Sequence, residues 1–247
     1  MTSSKPENKL AEELLEYKDT LRGNLLKFTR KAFEMLPKME KPKILDIGCG
    51  SGIPTLELAR ISGGKVTAID TDIVQLNRLE KKIENAQLSA RVKTMSCSIL
   101  NLHFAERSFD IIWAEGAIAV IGFEKGISEW NRLVKNGGFL VVHDDLSGLK
   151  EKMEKVSQCG YKLVGHFILN EDVWWNEYYA RLEEKLNEIR SAHINSKGVI
   201  KLLSYDQQEV SGYKKDKERY RSVFFVMEKI LALPLNNNQK PRNGRYV

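Results

Sequence analysis

Cysteine is scarce in this chain of 247 residues, and long apolar runs are absent. The three cysteines, Cys49, Cys97 and Cys159, are odd in number and widely separated. That excludes a disulfide framework and any paired metal-finger spacing, and leaves reduced packing residues. His103, His143, His166 and His193 are equally scattered, so no structural metal is expected. No stretch approaches the roughly 18 apolar residues of a membrane span, and the start Met1–Glu7 has no apolar signal-peptide core. We therefore expect no membrane partner and a cytoplasmic location. Internal repeats are absent too. What remains, 42% hydrophobic and 29% charged residues, suits one globular unit large enough to bury a full core.

The net charge of +6 is unevenly spread. Residues 233–247 form a basic tail with Lys240, Arg242 and Arg245, and its run Asn236–Asn238 and Pro241 argue for disorder. Lys214–Arg221 holds five cations and two acids. It reads either as an RNA- or phosphate-facing edge or as a solvated face; the solvated face is preferred, and a nucleic-acid partner is not expected.

Lys43-Ile44-Leu45 leads into Asp46-Ile47-Gly48-Cys49-Gly50-Ser51-Gly52, and Thr55–Arg60 continues with a helical apolar pattern. An apolar run ending in a carboxylate, followed by three alternating glycines and a helix start, describes a strand, a tight turn and a helix. The glycines let the backbone approach a ligand closely, and the helix start offers unpaired N–H groups. A dinucleotide fingerprint would place its third glycine three residues after the second. Here Gly52 follows Gly50 by two, and Ile53 stands where that pattern wants glycine, which disfavours a nicotinamide oxidoreductase. An acid at the strand end repels a diphosphate and attracts an ammonium, so the ligand is expected to carry a cation. A second strand, Lys65–Asp70, ends in an acid at the spacing of a ribose-binding carboxylate. Asp72 could substitute for Asp70, but is better read as the N-cap of a helix from Ile73. The bland alternative for the whole stretch is a structural strand–turn–helix.

This arrangement resembles motif I of the class I methyltransferases that use S-adenosylmethionine (SAM). The likeness runs from Lys41 to Leu169 and includes the turn Lys135-Asn136-Gly137-Gly138. The run Trp113-Ala114-Glu115-Gly116-Ala117-Ile118, with Ile121-Gly122-Phe123 and Glu129-Trp130, resembles a poorly characterised small-molecule branch of that family. The resemblance implies that Asp46, Gly48, Cys49, Gly50 and Gly52 hold the methionine and ribose parts of SAM, and that Asp70 and Thr71 take the ribose. Where the family has an acid facing adenine, after a strand over Arg91–Cys97, this chain has Ser98. The Ser98 hydroxyl and Ile99 are then the adenine candidates. Glu115 follows the next strand, where the family sets its substrate-facing loop, and is a candidate both for the cofactor and as general base. His143, beside Asp144 at the end of a strand Phe139–Asp144, is the second candidate base. A cap or substrate-orienting role competes for Glu115, and a satisfied core histidine for His143.

These signals predict an α/β fold, a doubly wound, Rossmann-like sheet of seven strands with the last one antiparallel. Residues 1–40 read as an N-terminal helical lid and 41–232 as the SAM-binding domain. Within that domain a helical insertion, 170–219, precedes the last strand. In the insertion Trp174 and Tyr178 are four residues apart, as are Trp175 and Tyr179, so each pair should share a helix face. One face would line a pocket for a planar or cationic acceptor and the other would pack; both lying in the core is the competing reading. The function expected is methyl transfer from SAM to a small molecule. An RNA or protein methyltransferase and a non-catalytic SAM-binding module are the alternatives.

Overall fold

The computed structural model describes residues 6–230, so the expected basic tail lies outside the described residues. Two helices, α1 (Pro6–Gly23) and α2 (Leu26–Glu34), precede β1 (Lys43–Ile47). The chain then alternates: α3 (Ile53–Ser62), β2 (Lys65–Asp70), α4 (Ile73–Asn85), β3 (Val92–Ser96), β4 (Phe109–Glu115), α5 (Phe123–Asn131), β5 (Val134–Asp145), α6 (Leu149–Gln158) and β6 (Tyr161–Leu169). A continuous helical stretch follows, made of α7 (Glu171–Trp174), a π-helical segment Trp175–Tyr179 and α8 (Ala180–Ala192). After α9 (Lys197–Lys215) the chain returns as β7 (Ser222–Lys229). Strand order is β3-β2-β1-β4-β5-β7-β6, and only β7 runs antiparallel to its neighbours.

The central strands are apolar nearly throughout because helices cover both faces of the sheet. On one face Ile44, Trp113, Val141 and Phe224 pack under α2, α3 and α4 through Ala32, Leu58 and Leu79. On the other, Ile112, Leu140, Val142 and Phe225 pack on α5 and α6 through Phe123, Trp130 and Val156. A third cluster lies off the sheet, where Leu14 and Leu21 of α1 meet Tyr178, Tyr179, Leu182 and Leu203 of the insertion. The lid and the insertion therefore form one helical cap.

Three local features have physical causes, and two of them depart from the sequence reading. The turn expected at 135–138 is absorbed into β5, whose register with β4 shifts between Phe109 and Ile111 while Gly137 takes φ +69°. Between the pairs Phe109–Val134 and Ile111–Phe139, β5 advances five residues and β4 two, so 135–138 stand out of register within the strand. Asp72 caps α4, its carboxylate accepting from the Val74 N–H at 2.8 Å and the Gln75 N–H at 3.2 Å. The insertion is also not a regular α-helix where its aromatics lie: the π segment adds a residue to the turn, so residues four apart no longer superpose.

The glycine turn depends on absent side chains. Gly52 has φ +78°, and a Cβ there would lie 2.1 Å from Leu79 Cδ1 on α4. Left-handed strain of about 1–2 kcal/mol adds to overpacking of about 1–3 kcal/mol. Gly52→Ala is therefore expected to lower the melting temperature by roughly 5–10 °C, measured by circular dichroism. Gly50→Ala, at φ +51° but with nothing within 4 Å of its Cβ, should cost only the left-handed strain of about 1–2 kcal/mol.

Candidate cofactor and acceptor site

The carboxyl ends of β1, β4 and β5 open into a cavity of about 700 Å³, roofed by α2 and by the insertion. Ligands in parallel sheets sit at this edge, where strand order reverses around β1 and β4. Gly48, Cys49, Gly50 and Ser51 form one wall beside Asp70. Gly50 and Gly116 both line the space at positive φ, and a Cβ on either would meet no protein atom within 4 Å. At these two positions the backbone is bare toward the cavity. Asp70 accepts from the Gly50 N–H at 2.8 Å and the Asp72 N–H at 2.9 Å. An ionised carboxylate has about four acceptor sites, so two remain for a ligand's hydroxyls. Cys49 also lines the wall, and burial pushes its thiol well above the ordinary range, which makes it an inert packing group.

Acids dominate the floor. Asp46 is 3% exposed, and only the Thr55 hydroxyl, at 2.5 Å, donates to its carboxylate. Glu115 accepts from Trp113 Nε1 at 2.7 Å and from the Thr29 hydroxyl of the lid at 2.9 Å. Among the described residues neither acid has a Lys or Arg within ion-pair distance. Burial raises both pKa values to about 7, and the neighbouring carboxylates Glu115 and Asp70 add to the shift at Asp46. Glu115 stands opposite His143 in the β4–β5 register. The His143 ring is stacked 4.4 Å from Phe224 and 6.0 Å from Trp174, its Nε2 has no partner, and burial lowers its pKa to about 4. It is neutral at pH 7. Asp144 beside it is buried and paired with Lys152 at 2.7 Å.

The aromatic wall is Trp174, Tyr178 and Tyr179, with Tyr220 behind. Trp174 lies 6.5 Å from Tyr178 and 6.4 Å from Tyr179. In the π segment residues five apart align, which brings Tyr179 round to the face of Trp174. Trp175 is turned away from the cavity; it stacks on Tyr213 at 5.3 Å with Lys214 over its ring. The expected pairing of Trp175 with Tyr179 on one α-helical face is thus corrected by the wider turn.

Other sequence candidates fall outside the cavity lining. Ser98 Oγ accepts from the Leu100 N–H at 3.2 Å, and Ile99 is buried in the core under α5 and α6. Thr71 and Gly52 also stand behind the lining, whereas Asp72 and Gln75 reach it. Gln75 Oε1 is buried without a partner. Sequence reasoning missed Gln75, Thr29, Arg22, Glu209 and Arg219, all of which reach the cavity or its floor from helices and turns. An alternating apolar pattern marks such elements as packed without saying which polar residue turns inward.

Residues 44–138 match the family model described as a methyltransferase domain. Over that segment the chain is similar to the class I SAM-dependent methyltransferases. It is 29% identical over 179 residues to the 27-O-demethylrifamycin SV methyltransferase of Amycolatopsis mediterranei, an alignment that spans 70% of this chain and 64% of that one. The chain thus covers less than two thirds of that relative's length. Its fold is similar to that of the cyclase SpnF, with a TM-score of 0.70, 19% identity and coverage of 83% and 81%. It is also similar to a SAM-dependent methyltransferase of Geobacter sulfurreducens solved with S-adenosylhomocysteine, with a TM-score of 0.66, 17% identity and coverage of 83% and 90%. At these identities the solved structures bear on the fold alone.

The unpaired acids predict a pH dependence. A cationic ligand held at Asp46 and Glu115 would need them ionised, and below about pH 7 protons would compete for both. SAM affinity is therefore expected to rise several-fold between pH 6 and 8 and then level off. Calorimetry in buffers of different ionisation enthalpy should show proton release on binding near pH 7.

Proposed function

We propose that this protein transfers a methyl group from SAM to a small-molecule acceptor held under the aromatic cap. The observation that carries this reading is the single cavity joining a bare glycine loop, two unpaired buried acids and an aromatic wall. Gly48, Cys49, Gly50 and Asp70 would hold the cofactor by backbone N–H groups and a ribose-accepting carboxylate, and Asp46 would balance its positive charge. Bound there, SAM supplies an electrophilic methyl group on a sulfonium sulfur.

The chain's own work is positioning and proton handling. Trp174, Tyr178 and Tyr179 offer flat, rigid surface to an acceptor and exclude water, and placement of that kind can supply most of the acceleration of a simple displacement. If the acceptor is a hydroxyl, a base is needed. Glu115, near pH 7, is matched to that task, because general-base efficiency peaks when the pKa is near the working pH. His143 binds a proton too weakly for it, but its neutral, unpartnered Nε2 can orient a donor. We assign Glu115 as the base and His143 as the orienting group. The rifamycin relative, named as a methyltransferase of a small molecule, supports the acceptor class. Against a nucleic acid, Lys214 is paired with Glu183 at 2.5 Å and Arg221 with Glu218 at 3.0 Å, so the basic edge is partly neutralised.

A second reading is SAM binding without methyl transfer. Incubating the protein with methyl-labelled SAM and a metabolite extract separates the two: labelled product identified by mass supports transfer, and tight binding without label supports the second reading. With an acceptor in hand, Trp174→Ala is expected to raise its KM about tenfold while SAM affinity stays within about threefold. Glu115→Gln should lower kcat by about a hundredfold or more.

A further inference from the structure

Asp19 lies on α1 behind the glycine loop, outside the cavity lining, and is 7% exposed. Ser51 Oγ donates to its carboxylate at 2.5 Å and Lys82 Nζ at 2.6 Å; the Arg78 guanidinium also donates, and Arg22 stands 3.8 Å away. Lys82 donates as well to the Ser51 carbonyl at 2.9 Å. Ser51 is thus held at its hydroxyl by α1 and at its carbonyl by α4. It sits between Gly50 and Gly52, both at positive φ, which are the residues least able to hold a turn on their own. Burial opposes ionisation of Asp19, but the hydrogen bonds from Lys82 and Ser51 and the charges of Lys82 and Arg78 outweigh it, and its pKa is lowered.

The adjacent residue points the other way. Lys18 forms a nearly buried ion pair with Asp206 on α9. Successive helical residues project about 100° apart, so one turn of α1 grips both the cofactor loop and the acceptor cap. Leu14 and Leu21 pack the same helix on Tyr178 and Tyr179, which line the cavity.

We infer that Asp19 is a positioning residue for the glycine loop: through Ser51, and with Arg78 and Lys82 behind it, the lid helix holds the loop in its ligand-binding shape. The inference rests on the proposed cofactor role of that loop. Asp19, Arg78 and Lys82 all stand outside the cavity lining, and Lys82 meets the loop at the Ser51 carbonyl without touching Arg22, the one cavity-lining residue of α1.

The test uses Asp19→Asn, which keeps shape and removes charge, and Lys82→Met, whose side chain is 26% exposed in the parent and can be lost without opening the core. Hydrogen exchange of the amides of residues 48–53 in the ligand-free protein is expected to speed up about tenfold or more in each variant, while β1 and β2 keep their protection. SAM affinity measured by calorimetry should fall about tenfold in each. In turnover the loss should appear as a raised KM for SAM, with the acceptor KM unchanged. The losses should be less than additive in the double variant, because both act on Ser51. If Asp19→Asn fails to fold, Lys82→Met alone decides. Unchanged loop protection, or SAM affinity within twofold of the parent, overturns the inference. Absence of SAM binding by the unaltered protein would refute the cofactor reading instead, and the exchange measurement would still judge the role of Asp19.

Discussion

The arrangement of the site follows from one pairing, that of Leu169 at the end of β6 with Ser222 at the start of β7. Because β7 is antiparallel and lies between β5 and β6, the chain must leave the sheet and re-enter it at the same edge, the edge where the other strands present their carboxyl ends. The whole excursion from Asn170 to Arg221 is thereby held above the cavity. A parallel last strand would have required the chain to return to the opposite edge, and the aromatic wall would have been carried away from Glu115 and His143. The Trp174 indole, which donates to Ser222 Oγ at 3.2 Å, fastens the wall to this hinge point.

The floor beneath that cap breaks the usual rule that buried charges are paired. Asp46 and Glu115 keep only hydroxyl and indole donors, while buried acids away from the cavity are matched to cations: Asp19 to Lys82, Glu57 to Arg30 at 2.5 Å, and Asp206 to Lys18. Local violations of consistency of this kind mark functional ground, because a protein that pairs its other buried acids has the means to pair these. The lid supplies Thr29 to Glu115, so the same helices that close the cavity also set the environment of the proposed base.

Much of the fold was legible because its signals are local. The strand Lys65–Asp70 and the Asp72 N-cap of the helix from Ile73 are legible to the residue, since an apolar run and a side-chain cap need no distant partner. The doubly wound seven-stranded sheet with its antiparallel last strand is legible in the alternation of strands and helices together with the long late excursion. What stayed hidden depends on contacts between distant residues. Nothing around Thr29 announces Glu115, and nothing in the spacing of Trp174, Trp175, Tyr178 and Tyr179 reveals a π turn. An α-helical period was the natural assumption, and it left open whether the face of Trp174 or that of Trp175 lines the cavity. Ser98 was placed by position after its strand, but its hydroxyl turns back to the following backbone, and Gln75 from the next helix over reaches the cavity instead.

The cap also imposes an order on synthesis. Tyr17 of α1 donates to the backbone of Arg181, 164 positions away, and Leu14 and Leu21 bury their side chains against the same distant helices. At roughly 5–20 residues per second, a nascent chain carries α1 for roughly 10–30 s before its partner emerges. Throughout that interval the sheet grows strand by strand while the first helix keeps an apolar stripe that only the last third of the chain can cover. A truncation anywhere in the insertion would therefore expose a surface at the opposite end of the polypeptide.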